Sequence, residues 1–400
     1  MTGQRIRQAR LAAGLTLEEV AELLASRGRK ITKAGLSKYE HDKSTPSPAF
    51  LMGLAQVLGV KASYFVREPS VNLEWLSFRR HASLTKSRQE QIKATAGRVA
   101  EDWVWLSSLF HPHWKPRFPG PKPVSSPEEA EEAAGALRKA WQLGDAPIES
   151  VTQCLEDHGA IVVDVTAKGV AFDGLCGRAN RAFPVIVVST SVPDDRRRYD
   201  LSHELGHLLM ACDNLASREQ EKLAHRFSAA FLVPARVART ELGNQRRSLR
   251  WDELGLLKRK YGLSMQAWAR RAADLGIIGQ SYYRALCMQF NARGWKQREP
   301  VDFACQEEPL RLRQMTLRAL AEGMITADRA EEICPGGTAG LTAAAEPRRP
   351  APGSARELLS LPRQARTQIL SAAAADAEKV YRENRELTEF EAFGEKDLYG

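Results

Sequence analysis

No C-x-x-C pair occurs in the chain. Its six cysteines (Cys154, Cys176, Cys212, Cys287, Cys305, Cys334) lie scattered over 400 residues. That pattern excludes a zinc ribbon and a disulfide framework and fits a reducing, cytoplasmic setting. No apolar run reaches about 18 residues, so no membrane span is expected. Residues 1–10 are charged and lack the apolar centre of a secretion signal. What remains is ordinary globular material, 43% hydrophobic and 27% charged, able to bury real cores. The length suggests two or three domains. A net charge of +9 favours a polyanionic partner such as nucleic acid, provided the charge is clustered.

The first 66 residues show that clustering. Helical spacing over Arg5 to Ala13 stops at Gly14. Thr16 and Glu19 form a capping-box pattern opening a second helix, whose inner face is Leu17, Val20, Ala21 and Leu24. After a polar connection, Thr32 is placed to cap a short third helix to Tyr39. Leu36 and Tyr39 face inward; Lys33, Ala34, Ser37 and Lys38 face outward. Ser47 and Pro48 open a fourth helix running to Gly59. Short helices joined this way describe a helix-turn-helix, which places its recognition helix in the major groove by its N-terminal end. Ten Lys and Arg stand against five Asp and Glu here, and Arg27, Arg29, Lys30, Lys33 and Lys38 lie in or just before the third helix. Phosphate contacts there would fix register. The DNA-reading candidates are Thr32, Lys33, Ala34, Ser37 and Lys38, the partner is a double-stranded operator, and a homodimer is expected because such proteins read paired half-sites.

The chemistry gathers at His203-Glu204-Leu205-Gly206-His207, inside a helix-like run from Tyr199 to Met210. Residues four apart on a helix share a face, with Cβ atoms about 5–6 Å apart, so His203 and His207 can hold one metal ion. Glu204 lies about 100° round the helix, within reach of a metal-bound water as general base. A strand-like run (Pro184 to Ser189) precedes this helix, and a second helix-like run (Glu219 to Val233) follows it. That second run carries Glu221 and, four residues on, His225; one carboxylate there would complete a set of two His and one Glu. Zinc suits such a set, because hydrolytic sites take three protein ligands and keep a fourth position for water; manganese is the alternative.

Two family resemblances organise these readings. Residues 1–66 resemble the XRE (Cro/C1-type) regulators through R-I-R-Q-A-R-L-A-A-G-L-T-L-E-E-V-A, L-S-K-Y-E and P-S-P-A-F-L-M-G-L-A-Q-V-L-G-V. Residues 128–300 resemble the ImmA/IrrE metallopeptidases through R-R-Y-D-L-S-H-E-L-G-H-L-L, E-K-L-A-H-R-F-S-A-A-F-L-V-P, L-L-K-R-K-Y-G-L-S-M-Q-A-W-A-R-R-A-A-D-L-G-I-I and G-W-K-Q-R-E-P. The second resemblance implies a gluzincin-like site, with His203 and His207 as ligands, Glu204 as base and a Glu on the next helix as third ligand. Glu221 fits by its E-x-x-A setting. The chain departs from the family pattern at Leu223, His225 and Ala230; His225 stands where Asn or Asp would support the site, and it and Glu219 remain alternative ligands.

The expected architecture is mainly α and multidomain: an all-α helix-turn-helix domain (1–66), a helical connector and Pro-rich linker (67–127), a small α+β gluzincin-like metallopeptidase domain (128–300), a helical or irregular extension (301–345), and a linker with a helical tail (346–400). In the connector, Arg88 to Phe110 reads as one amphipathic packing helix. The strand bordering the metal helix offers an edge to which an extended peptide could pair. The tail resembles the toxin-binding tails of some small antitoxins. Together the resemblances imply a DNA-binding regulator that hydrolyses a peptide bond in a protein partner, a repressor or other regulator, in stress response or mobile-element control. The alternative is a non-catalytic repressor or antitoxin that binds a toxin partner and uses the peptidase-like part for sensing or scaffolding.

Overall fold

The computed structural model describes residues 2–78, 84–166, 172–296, 298–305 and 307–336, with a few helical positions between 366 and 374. The chain divides into two compact units, Met1–Thr338 and Ala339–Gly400. The antitoxin-like module expected in the tail lies outside the described residues but for those helical positions, and so do Arg79, Arg80 and His81 of the connector.

The helix-turn-helix comprises α1 (Thr2–Ala12), α2 (Leu17–Ala25), α3 (Lys33–Glu40) and α4 (Pro48–Leu58). Local signals start each element. Thr16 and Glu19 form a reciprocal capping box, the Thr32 hydroxyl accepts from Gly35 N–H, and Ser47 caps α4 with Pro48 in its first turn. Gly59 closes α4 in a left-handed conformation that a side chain would strain. Ile6, Val20, Leu24, Leu36, Leu54 and Phe65 fill the core. The buried Arg10–Glu40 ion pair, at 2.6 Å, ties α1 to α3. Arg5 donates to the carbonyls of Arg67 and Glu68 at 2.9 and 2.7 Å and pairs with Glu101 at 2.6 Å, fastening α1 to the chain that leaves the domain.

That chain does more than connect. It supplies β1 (Leu73–Phe78) and α5 (Lys86–Phe110). The former pairs with β4 (Gly174–Ala179) in a four-stranded sheet of order β1-β4-β5-β3, together with β3 (Ile161–Val165) and β5 (Phe183–Ser189). β3 and β5 are parallel, and both other pairings are antiparallel. The Pro-rich stretch, expected to be a stiff linker, instead forms β2 (Lys122–Pro123), a short parallel strand against β6 (Met210–Ala211). It thereby anchors the end of the helix that carries His203 and His207.

Alternation along the strands sends side chains to two layers. Val162, Ile186 and Val188 face a layer of α6 (Pro127–Ala140), α8 (Asp194–Leu209) and α9 (Ser217–Leu232), with Leu201, Leu205, Phe227 and Phe231. Ile161, Val163, Val185 and Val187 face α5, α14 (Arg311–Ala321) and α15 (Ala327–Ile333), with Ile92, Trp103, Met315 and Ile333. The helices α10 (Ala235–Leu242), α11 (Trp251–Tyr261), α12 (Met265–Asp274) and α13 (Gln280–Ala292) enlarge the first layer. Residues 301–336 are built into the same unit. Glu307 is buried and accepts from the N–H groups of Val151 and Thr152, capping α7 (Val151–Asp157).

Candidate metal centre

Helix α8 is held from three sides by consecutive arginines. Arg196 pairs with Asp173, just ahead of β4, at 2.8 Å. Arg197 pairs with Asp164 on β3. Arg198, almost fully buried, pairs with Glu307 at 2.7 Å. At the other end Arg178 of β4 donates to the Leu208 carbonyl at 3.1 Å, where the helix leaves acceptors unsatisfied. The Ser228 hydroxyl donates to the Tyr199 carbonyl at 2.9 Å and joins α9 to α8. The helix bearing the two histidines is therefore rigid, which suits a site that needs fixed donors.

His203 and His207 share a face of α8, with Nε2 atoms 3.1 Å apart. Glu221, from the neighbouring α9, sets Oε2 at 3.2 Å from His203 Nε2 and Oε1 at 3.5 Å from His207 Nε2. The three ligand atoms lie within 4.8 Å of one another. Metal–nitrogen bonds of about 2.0–2.1 Å in a tetrahedral arrangement put ligand atoms roughly 3.3 Å apart, so the donor set fits a shared metal ion. Burial pushes the Glu221 carboxyl up, but hydrogen bonds and charge interactions with His203 and His207 outweigh it and hold the carboxyl well below its usual range. An ionised ligand is what metal binding requires.

Glu204 is buried and packs beneath the first residue of β4. A Cβ placed at Gly174 would lie 2.7 Å from Glu204 Oε1, so a larger residue there would force the glutamate or the start of β4 to shift. Sequence reading missed Gly174 because nothing in the sequence relates it to Glu204, thirty residues on. The other two candidate ligands are not among the three whose ligand atoms converge. Glu219 is half-exposed and pairs with Lys222 at 2.7 Å. His225 stacks on Tyr199 and its Nδ1 lies 3.2 Å from the Tyr199 hydroxyl. Its ring centre lies 4.5 Å from that of His203, so it packs directly on a candidate ligand. Arg198 and Glu307 were missed as well, one hidden in a basic run and the other in an acidic pair with Glu308.

On α3, Thr32, Lys33, Ala34 and Lys38 are exposed and Ser37 is half-buried. Lys33 pairs with exposed Glu18 of α2. Arg29 turns inward instead, donating to the Ala49 carbonyl and filling the space beside Gly53. It is thereby withdrawn from the phosphate contacts expected of the basic run.

Comparison with family models matches residues 6–65 to a helix-turn-helix family and residues 156–273 to the IrrE N-terminal-like peptidase domain. No curated protein matches the chain.

Proposed function

We propose that this chain, an XRE-type helix-turn-helix regulator joined to an ImmA/IrrE-type domain, is a zinc-dependent endopeptidase that cuts a protein partner. The partner is a repressor or another regulator, and the setting is stress response or mobile-element control. His203, His207 and Glu221 hold the metal, and their two-nitrogen, one-carboxylate chemistry favours zinc over manganese. Zinc held by these residues would lower the pKa of a bound water to near 7 and polarise a carbonyl. Glu204 takes the proton of the attacking water on its carboxylate and returns it to the departing amine nitrogen. Thr32, Lys33, Ala34, Ser37 and Lys38 read the operator, as a homodimer on paired half-sites.

The observation that carries this reading is the convergence of three donor atoms within 4.8 Å beside a buried carboxylate with no ligand role. Elemental mass spectrometry and a labelled-casein assay test it together. Wild type and Glu204→Gln should each hold about one zinc per chain, Glu221→Ala should lose it, and only wild type should hydrolyse. Equal turnover by Glu204→Gln would remove the general-base role. In the same preparations, gel shifts on a binding-site library should be unaltered by Glu204→Gln and weakened by Lys33→Ala with Lys38→Ala, with a flatter salt dependence. One observation favours the second reading, a repressor or antitoxin without catalysis: the sheet edge beside Glu204 is already covered.

A further inference from the structure

The cover is β1. It runs antiparallel to β4, from Leu73 opposite Ala179 to Phe78 opposite Leu175. Its C-terminal end therefore arrives one residue short of Gly174, the glycine that packs on Glu204. An extended peptide adding to a sheet edge makes this kind of ladder, and here the ladder would lead its chain toward the catalytic carboxylate. We infer that β1 is an internal stand-in for the substrate strand, and that a substrate reaches the site as an extended, largely apolar segment that displaces β1 from β4. The inference rests on the peptidase reading above.

The way β1 is held supports displacement rather than permanent membership of the sheet. Side chains of β3, β4 and β5 are nearly all buried, whereas none of the described side chains of β1 is. Leu76 is 55% exposed, at a bulge between Trp75 and Ser77, after which only two residue pairs remain on the Glu204 side. The opposite end is clamped. Asn180 accepts from Asn72 N–H at 2.8 Å through its side chain, and its own backbone N–H donates to the Asn72 carbonyl at 2.8 Å. Arg5 fixes the carbonyls of Arg67 and Glu68. A strand clamped at its start and bulged toward its finish can peel from the Glu204 end while remaining tethered to the DNA-binding domain. At Gly177 a Cβ would lie 2.5 Å from the Glu74 carbonyl oxygen, so β4 accepts a close backbone neighbour at that point. Half-buried Leu73 and Trp75 pack on the α5 side of the sheet, which sets apolar residues at alternate positions as the preference for an incoming strand.

The test uses the full chain carrying Glu204→Gln, so that nothing is cut, and a fluorescent peptide of the sequence Val71 to Phe78. Trp75→Pro breaks β1 by removing a backbone donor. In that background the peptide should bind at least tenfold more tightly than in Glu204→Gln alone, by fluorescence anisotropy. No gain in a Trp75→Pro chain that keeps its zinc and its melting temperature overturns the inference. Should Trp75→Pro fail to fold, hydrogen exchange on Glu204→Gln decides. Excess peptide should speed exchange over residues 73–78 and leave 174–179 protected. Unchanged or slowed exchange over 73–78, the latter indicating peptide added outside β1, overturns it. Casein hydrolysis by the broken-strand chain with Glu204 intact and zinc present separates the two ideas: peptide binding without casein hydrolysis sinks the peptidase reading and leaves β1 as the occupant of that edge.

Discussion

The room for Glu204 depends on the absence of a single methyl group at Gly174. With a Cβ there, 2.7 Å from Oε1 and from Cγ of Glu204, either the glutamate or the start of β4 has to shift. Misplacing a catalytic group by about 1 Å can cost on the order of 10²-fold in rate. Gly174→Ala is therefore expected to lower casein hydrolysis by roughly that factor while zinc content stays at the wild-type level, since His203, His207 and Glu221 are untouched. Unchanged turnover would show that the glutamate has slack. The candidate ligands were more legible than this support. Spacing of four on a helix puts His203 and His207 together, and α9 presents Glu221 and His225 on one face but turns Glu219 away. Between the two on that face, helix periodicity does not discriminate; the proposal of Glu221 rests on its oxygens lying near both histidine nitrogens, while His225 stacks on Tyr199. Gly174 and Glu307 act across long sequence separations, and no local pattern marks either.

Elements were legible where their ends carry chemistry of their own. Thr16, Thr32 and Ser47 each cap a helix that periodicity also indicates. β1 gives a weaker signal, because a half-buried edge strand does not alternate cleanly. Its partner lies about a hundred residues away, and a two-residue strand such as Lys122–Pro123 has no pattern to read. A lone carboxylate also governs one element. Glu156 of α7 accepts from Leu310 and Arg311 N–H, both at 3.1 Å, at the start of α14. Burial pushes its carboxyl up, the backbone donors pull it partly back, and it ends at about 7. The folded value lies above the unfolded one. Its contribution to stability is therefore fully present below pH 4.5 and is lost as the pH rises through about 7. Glu156→Gln keeps an acceptor oxygen without the charge. It should match wild type near pH 4.5 and exceed it by on the order of 2 kcal/mol at pH 8, read from urea titrations at both pH values. A variant less stable than wild type at pH 8 would mean that the charged cap outweighs its burial cost.

At the scale of the molecule, the helix-turn-helix and the candidate metal centre belong to one unit, Met1–Thr338, and among the described residues no helix is long and apolar enough to cross a membrane. Residues 301–336 decide how that unit holds. They bring Glu307 to Arg198, an ion pair with both side chains essentially inaccessible at 2.7 Å, and they lay Met315, Ala319, Ile325 and Ile333 on the α5 side of the sheet. Removing one member of a buried pair costs about 3–5 kcal/mol, because the other charge is left uncompensated. Whole domains are stable by only about 5–15 kcal/mol. Arg198 precedes His203 by little more than one turn, so the loss falls on the metal helix. A chain ending at residue 338 is expected to melt close to the full chain and to hold about one zinc, whereas one ending at residue 300 should be insoluble or melt far lower, with zinc lost in proportion. Glu307→Gln in the full chain isolates the ion pair from the apolar contacts and should fall between them. Calorimetry with metal analysis on the three proteins gives the order. A 300-residue chain that melts with the 338-residue one would show that α8 is held by Asp173, Asp164 and the sheet alone.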